Sequence, residues 1–414
     1  MNHIGIIAEY NPFHNGHLYQ IKQIKELFPE KKIIVMMSGN YVQRGEPAVF
    51  SKSVRVRSAL ISGADLVFEL PAVFSYSSSE YFARAGVLAL SKTGIIDTLC
   101  FGAENDDIKI LDQIADILLN EPDNYRIELK KHLTSGLSFP KARSLALKNT
   151  FPYENYHDII DKPNNILAIE YIKAIKQYHL NITPHIIKRF GNDHNDMALQ
   201  DNYSSASSIR SALKNAIQNN NRNYLLSVKN QIPQDIFEYL ASEKYARPVF
   251  SDDFTSLLQY KLLSEKNHLN KYYEVSDYIE NSIKNKDFFP YSYDELINIL
   301  GGKHITNTRI KRCLLNILLN KNNDLVSHTI NNGYLSYLQL LGFRKECSYL
   351  IKDIQKNCNL PIINKVAKTK DLLTDNAKDN FDHQIFIDNI YRQAYYNKYG
   401  EIIPSDYEQS VIIV

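Results

Sequence analysis

Over the first half of the chain, short apolar runs alternate with longer segments of helical periodicity. The runs at residues 4–10, 32–38, 65–70, 95–101 and 182–189 have strand length and are bounded by turn-forming residues. Between them, apolar positions recur at three- and four-residue spacing over 16–28, 53–62, 79–90, 108–119 and 165–177, with Pro and Gly at the joins. This alternation predicts a Rossmann-like α/β domain, a parallel sheet covered by helices. Ligands of such sheets sit at the carboxyl ends of the strands, so chemistry is sought there.

From about residue 225 the strand signal fades. Segments 236–246, 256–263, 293–300, 308–319 and 334–341 read as amphipathic helices, which predicts a helical second domain. The polar stretch Gln218-Asn219-Asn220-Asn221-Arg222-Asn223 is the natural hinge, giving domains at 1–222 and 223–414. A length of 414 residues suits roughly two or three domains, and no internal repeat is evident.

Composition narrows the class. With 44% hydrophobic and 23% charged residues the chain is that of a folded globular protein, not a disordered one. Its 48 basic and 46 acidic residues nearly cancel, so any nucleic-acid surface must come from local clustering. Cys100, Cys313, Cys347 and Cys358 are far apart with no CxxC pair, which argues against a zinc site or a disulfide framework. No apolar run approaches the ~20 residues of a membrane span, and a strand pattern begins at His3, where a secretion signal would lie, so a cytoplasmic protein with no membrane partner is expected.

Candidate chemistry begins after the first strand. Glu9-Tyr10-Asn11-Pro12-Phe13-His14-Asn15-Gly16-His17 reads as a tight turn leading into a helix with apolar Leu18, Ile21, Ile24 and Leu27. Unpaired N–H groups at a helix start suit a phosphate, and Gly16 allows close backbone approach. His14 and His17, three positions apart, lie on one side of the first turn. In transfer to an α-phosphate they would donate to the phosphoryl oxygens as charge develops. A second stretch, Ser204-Ser205-Ala206-Ser207-Ser208-Ile209-Arg210, precedes another helix; alone it is an ordinary N-cap, but paired with the histidines it makes the other half of a triphosphate site. Ser207 and Arg210 are the residues expected on the phosphates.

HxGH early and SSxxIR late are the two nucleotide motifs of the HxGH nucleotidyltransferase superfamily, which the chain resembles. GIIAEYNPFHNGHLYQI, MSGNYVQRGEPAVFSKSVR, ADLVFELP, FGAE, PNNILAIEYIKAI and IKRFGNDHND are similar to the tRNA(Met) cytidine acetate ligase family, across essentially the whole first domain. Behind it, TRIKRCLLNILL and YLQLLGF resemble the family's helical domain. The resemblance implies a ligase that joins acetate to ATP, giving acetyl-adenylate, and passes the acetyl group to N4 of the wobble cytidine of elongator tRNA(Met), without acetyl-coenzyme A. It places nucleotide contacts on Ile7, Ala8, Glu9, Tyr10, Asn11, Pro12, Phe13, His14, Asn15, Gly16, His17, Leu18, Tyr19 and Gln20, and on Gly102, Asn165 and Arg189, with Mg²⁺ offsetting phosphate charge.

Several of these positions carry a second reading. Gly102 ends a strand, where a missing side chain admits adenosine or simply permits a turn. Asn165 either caps the helix that follows or touches the ligand. Lys188 and Arg189 meet phosphate or remain solvated. The loop Tyr41 to Pro47 is placed for the acyl acceptor, with no individual role assigned to Gln43 or Arg44. The family's tyrosine before the late His-Asp pair is absent from Asp193-His194-Asn195-Asp196, so no role is assigned to His194 or Asp196. Lys303, Arg309, Lys311 and Arg312 form a basic helix that follows RNA phosphates or is a solvated face. The tyrosines between Tyr391 and Tyr399 stack on bases or pack in a core. Two rival functions stay open on sequence alone: an HxGH adenylyltransferase acting on a small molecule, and a noncatalytic RNA-binding protein.

Overall fold

The computed structural model describes residues 2–152, 154, 156–189, 204–302 and 305–414. Its strands are β1 (His3–Ala8), β2 (Ile33–Met37), β3 (Tyr41–Val42), β4 (Glu46–Pro47), β5 (Leu66–Glu69), β6 (Ile96–Ala103), β7 (Thr183–Lys188), β8 (Leu338–Phe343), β9 (Ile362–Ile363) and β10 (Ile412–Ile413). Eight form one sheet in the order β10-β8-β5-β2-β1-β6-β7, with β9 beside β8, and β3 and β4 make a small separate hairpin. Strands β5, β2, β1, β6 and β7 are mutually parallel. All five expected strands and all five expected helices of the first half are present, ends differing by a few residues.

The continuous apolar run of β2 follows from cover on both faces. Ile34 and Met36 enter the core under helices Ser79–Lys92, Ile108–Asn120 and Pro163–Gln177; Ile33, Val35 and Met37 enter the core under helices Asn15–Leu27, Lys52–Ile61 and Ala206–Gln218. The chain runs outward from β1 through β2 to β5, then returns to place β6 and β7 on the other side of β1. The carboxyl ends of β1 and β6 therefore flank the switch point, the crevice of a doubly wound sheet.

Residues 223–414 are mostly helical, with a third core built around Phe254, Leu258, Leu314 and Tyr391. The expectation of helix alone is corrected at three places. Residues 334–341 do not form a helix: β8 runs antiparallel to β5, and β9 and β10 lie against the far side of β8. The spacing of Tyr334, Leu335, Leu338 and Leu341 imitates a helical stripe. In fact Leu338, Gln339 and Leu340 are all buried, as both faces of an internal strand must be. The part of the chain assigned to the second domain thus completes the sheet of the first.

A buried ion cluster fastens this return. Lys52 Nζ lies 3.0 Å from Glu69, 2.6 Å from Asp388 and 2.9 Å from Asp406. Asn40 donates to Asp388 (2.7 Å) and Gln384 to Glu69 (2.9 Å). Burial opposes the Lys52 charge, but Asp388, Asp406 and Glu69 outweigh it and hold the ammonium well above the ordinary lysine range. Burial pushes the Asp388 carboxyl up, while Lys52 and the hydrogen bond with Asp388 hold the Asp406 carboxyl down. Among the described residues no helix is long and apolar enough to cross a membrane, and all four cysteines are free thiols.

Candidate active site

The chain leaves β1 at Ala8, turns through Tyr10 at φ +49°, and enters helix Asn15–Leu27. His14 is its N-cap. The Gly16 N–H donates to His14 Nδ1 (3.0 Å) and the His14 N–H donates to His17 Nδ1 (3.3 Å), a capping box made of two imidazoles. With Nδ1 accepting in each ring, the neutral tautomer carries its proton on Nε2, which makes each Nε2 a donor. The rings stack at 3.8 Å between centroids. Burial, with His14 and Arg189 nearby, holds the His17 pKa well below the ordinary histidine range, so it remains a neutral donor.

The turn is locked from three sides. Asn11 Oδ1 accepts from the Val49 N–H (2.7 Å), and Arg210 donates to the Asn11 carbonyl (2.8 Å). Arg55, fully buried, donates to the carbonyls of Glu9 (2.6 Å), Ser38 (3.0 Å) and Gly39, tying the ends of β1 and β2 together. Glu9 Oε1 accepts from the Gln43 N–H (2.7 Å), and burial pushes its carboxyl pKa up.

A second helix start, that of Ala206–Gln218, faces the same crevice. Ser205 caps it by accepting from the Ser208 N–H (3.1 Å), and its hydroxyl lies 2.8 Å from that of Ser207. Ser204, Ser205 and Ala206 reach the cavity wall. Arg210 lies behind it, bonded to Asn11 and 3.5 Å from Glu46, which also pairs with Lys311. Its role in this geometry is to brace the histidine turn.

Gly102, on β6, lies beneath the Arg189 side chain: a Cβ there would sit 3.1 Å from Arg189 Cγ. Arg189 is anchored through its N–H to the Ala103 carbonyl (3.2 Å), and burial lowers its pKa. Among the described residues no carboxylate lies within ion-pair distance of it, though Glu104 is near enough to favour its charge, and the residue lines the cavity. Asn165 has both polar atoms engaged: Oδ1 accepts from the N–H groups of Glu104 and Asn105 (2.9 Å each) and Nδ2 donates to Ile159 (3.1 Å). It holds the loop after β6, with Glu104 accepting in return from the Asn165 N–H (2.9 Å).

These elements enclose a cavity of about 1000 Å³. Of the expected nucleotide contacts, Ile7, Ala8, Glu9, Tyr10, Asn11, His14, Gly16, His17, Gln20, Gly102 and Arg189 are on its wall. Pro12, Phe13, Asn15, Leu18, Tyr19, Asn165, Ser207 and Arg210 stand off it; Phe13, for example, is buried against Tyr10 and His17, and Asn15 donates to the Asn230 carbonyl. Lys188 is an exposed partner of Asp106. His194, Asp196 and Lys303 lie outside the described residues. In the basic helix, Lys311 and Arg312 pair with Glu46 and Glu274, carboxylates the local sequence does not show, while Arg309 and Arg312 reach the cavity. Tyr391 and Tyr395 are core residues; Tyr396 is half exposed. The sequence reading missed Arg55, Glu104, Arg143 and Glu170. Arg55, Glu104 and Glu170 stood in the quoted motifs FSKSVR, FGAE and PNNILAIEYIKAI without a role assigned, and Arg143 in none; their partners across the site, such as Asn165 for Glu104 and Arg143 for Glu170, are distant in the chain.

The sequence model of the HIGH Nucleotidyl Transferase family matches residues 1–403. The chain is 38% identical over 399 residues to the tRNA(Met) cytidine acetate ligase of Thermoanaerobacter sp. (strain X514), covering 96% of each chain. It is 36% identical over 423 aligned positions to that of Acetivibrio thermocellus, covering 100% of both. Among solved structures it is similar to Thermotoga maritima TmcAL, at 30% identity and full coverage of both chains, with a TM-score of 0.91 to the apo form and 0.89 to the form bound with alpha-thio ATP.

Proposed function

This chain belongs to the HIGH nucleotidyltransferase family and, within it, to the tRNA(Met) cytidine acetate ligases, and we propose on that footing that it uses ATP to join acetate to N4 of the wobble cytidine of elongator tRNA(Met). Acetate itself, not acetyl-coenzyme A, is the acyl donor, and the reaction belongs to the cytoplasm. One arrangement carries the reading: the capping-box histidines, the Ser204–Ser205 helix start and Arg189 converge on one cavity at the switch point of the sheet.

In the first step an acetate oxygen attacks the α-phosphorus of ATP and pyrophosphate leaves, giving acetyl-adenylate. The Nε2–H groups of His14 and His17 and the N–H groups of their helix start donate to the phosphoryl oxygens as charge builds. The Ser204–Ser205 helix start and Arg189 receive the remaining phosphates. In the second step the cytidine amine attacks the acetyl carbon, AMP departs and the amine loses a proton. Among the described residues no group of three His, Cys, Asp or Glu side chains could hold a metal ion. The described residues thus supply no three-ligand cage for Mg²⁺, and a magnesium ion that offsets phosphate charge would enter with the triphosphate.

His17→Ala tests the reading. It removes one donor from the transferring phosphoryl group, which costs on the order of 10²–10³ in rate. Acetate-dependent ATP–pyrophosphate exchange should fall by that factor, and undiminished exchange would overturn the assignment.

A further inference from the structure

One lobe of the cavity lies outside the phosphate-handling end. It is made by the long connection between β6 and β7, in which helices Asp123–Thr134 and Phe139–Thr150 are added to those that cover the sheet. A volume of about 1000 Å³ is the top of the ~300–1,000 Å³ range of single small-molecule sites, leaving room for a second ligand beside the nucleotide. On the lobe's wall Arg143 faces Glu170 at a loose 3.4 Å, while Lys173 holds the other Glu170 oxygen at 2.9 Å. Arg143 is 9% exposed and Glu170 4%, and Arg143 Nε is buried without a hydrogen-bond partner. Leu118 and Leu167 line the lobe with apolar surface. At its rim Phe139, whose ring centroid is 5.8 Å from the Arg143 guanidinium, is 54% exposed. A buried donor left unsatisfied is costly, and a large aromatic ring in water gains nothing by being there, so both features suit a planar, polar-edged ligand.

We propose that this lobe seats the acceptor base: an unpaired cytosine stacks on Phe139, with its amine directed to Glu170 and its ring acceptors to Arg143. The chemistry selects the base. A carboxylate only accepts and a guanidinium only donates. Cytosine presents one donor, the N4 amine, beside two acceptors, N3 and O2, which complements that pair. Uracil presents an acceptor where the amine would be, and would set its carbonyl oxygen against the Glu170 carboxylate. Stacking of a splayed base on an aromatic ring is how single-stranded RNA is commonly held. The inference takes the identity of the RNA from the function proposed above, but base recognition and adenylation have separate readouts.

The experiment measures binding of the anticodon stem-loop of tRNA(Met), carrying either cytidine or uridine at the wobble position, to the full chain by fluorescence anisotropy. Acetate-dependent ATP–pyrophosphate exchange is followed in parallel. Wild type should prefer the cytidine loop by roughly tenfold or more, the discrimination of one good bidentate contact. Glu170→Gln should erase that preference. Because Glu170 is buried and its variant could misfold, Phe139→Ala, at an exposed ring, is the second variant. It should weaken binding of both loops about tenfold, within the range for loss of a stacking partner. A wild type indifferent to cytidine or uridine overturns the proposal, as does a Phe139→Ala variant with unaltered RNA binding. Variants that lose exchange together with RNA binding would assign the lobe to ATP, and overturn it too. Failure of wild-type exchange with cytidine preference intact would sink the adenylation reading and leave the base site standing.

Discussion

Replacing Lys52 with methionine isolates what the buried ion cluster does. The side chain keeps its unbranched form, one atom shorter, and loses its charge, so the packing changes little. Three carboxylates, Glu69, Asp388 and Asp406, then lose the cation they share at 2.6–3.0 Å. The native cluster holds the Lys52 cation among three carboxyl groups; the variant keeps the three carboxyl groups and no cation. Removing one partner of a buried pair costs about 3–5 kcal/mol, a large part of a typical ~5–15 kcal/mol total. The loss should be local first, because two of the three carboxylates belong to helix Asp375–Tyr399 and the segment after it. Hydrogen exchange followed by mass spectrometry should show residues 377–403 opening roughly a hundredfold more often, the equivalent of about 3 kcal/mol. The sign of the pH dependence is fixed. Without Lys52 the folded carboxylates have pKa values above their unfolded ones, so the folded state binds more protons and the deficit shrinks as pH falls. Unchanged protection at 377–403, or a deficit that grows toward acid, would refute the reasoning.

Two further outcomes follow from the phosphate end. Gly102→Ala places a methyl group 3.1 Å from Arg189 Cγ and shifts the guanidinium without disturbing the core. The KM for ATP should rise about tenfold, or ~1.4 kcal/mol, just below the ~1.5–3 kcal/mol of losing one hydrogen bond to a charged group outright, with the melting temperature unchanged; an unaltered KM would remove Arg189 from the nucleotide. His17 is held neutral by burial, so kcat/KM for exchange should show no ionisation of His17 between about pH 6 and about pH 8. Its depressed pKa also means that the unfolded chain takes a proton the folded one refuses, so its contribution to stability is present above the ordinary histidine value and is lost progressively as pH falls below it toward the folded pKa. A wild-type inflection near pH 6.5 that vanishes in His17→Gln would contradict the tautomer deduced from the capping box.

The first half of the fold was legible because its signals are local. A strand buried on both faces must be apolar throughout, and a helix start must have a cap, so β2 and the His14 turn can be read within a few residues of text. The site followed as far as the chemistry was contiguous: His14, Gly16 and His17 stand in one turn. It became illegible where partners are remote. Nothing near Arg210 says that its guanidinium will brace Asn11, and Arg143 and Glu170 meet only because two helices cross. Asn165 was open between cap and contact, and its Oδ1 is taken by the loop after β6 while its Nδ2 is taken by the Ile159 carbonyl. The stripe at 334–341 misled because an internal strand and a helical face can share one sparse pattern.

The antiparallel return of β8 to β5 has a bearing on biosynthesis. When the ribosome has delivered β1, β2 and β5, the open side of β5 faces solvent with its backbone donors and acceptors unpaired, and it stays so until residue 338 and beyond have emerged. An unprotected strand edge recruits other strands. The nascent chain therefore passes through a long interval in which its ATP-handling crevice is already spelled out but its sheet is unfinished, and that edge is open to pairing with other chains.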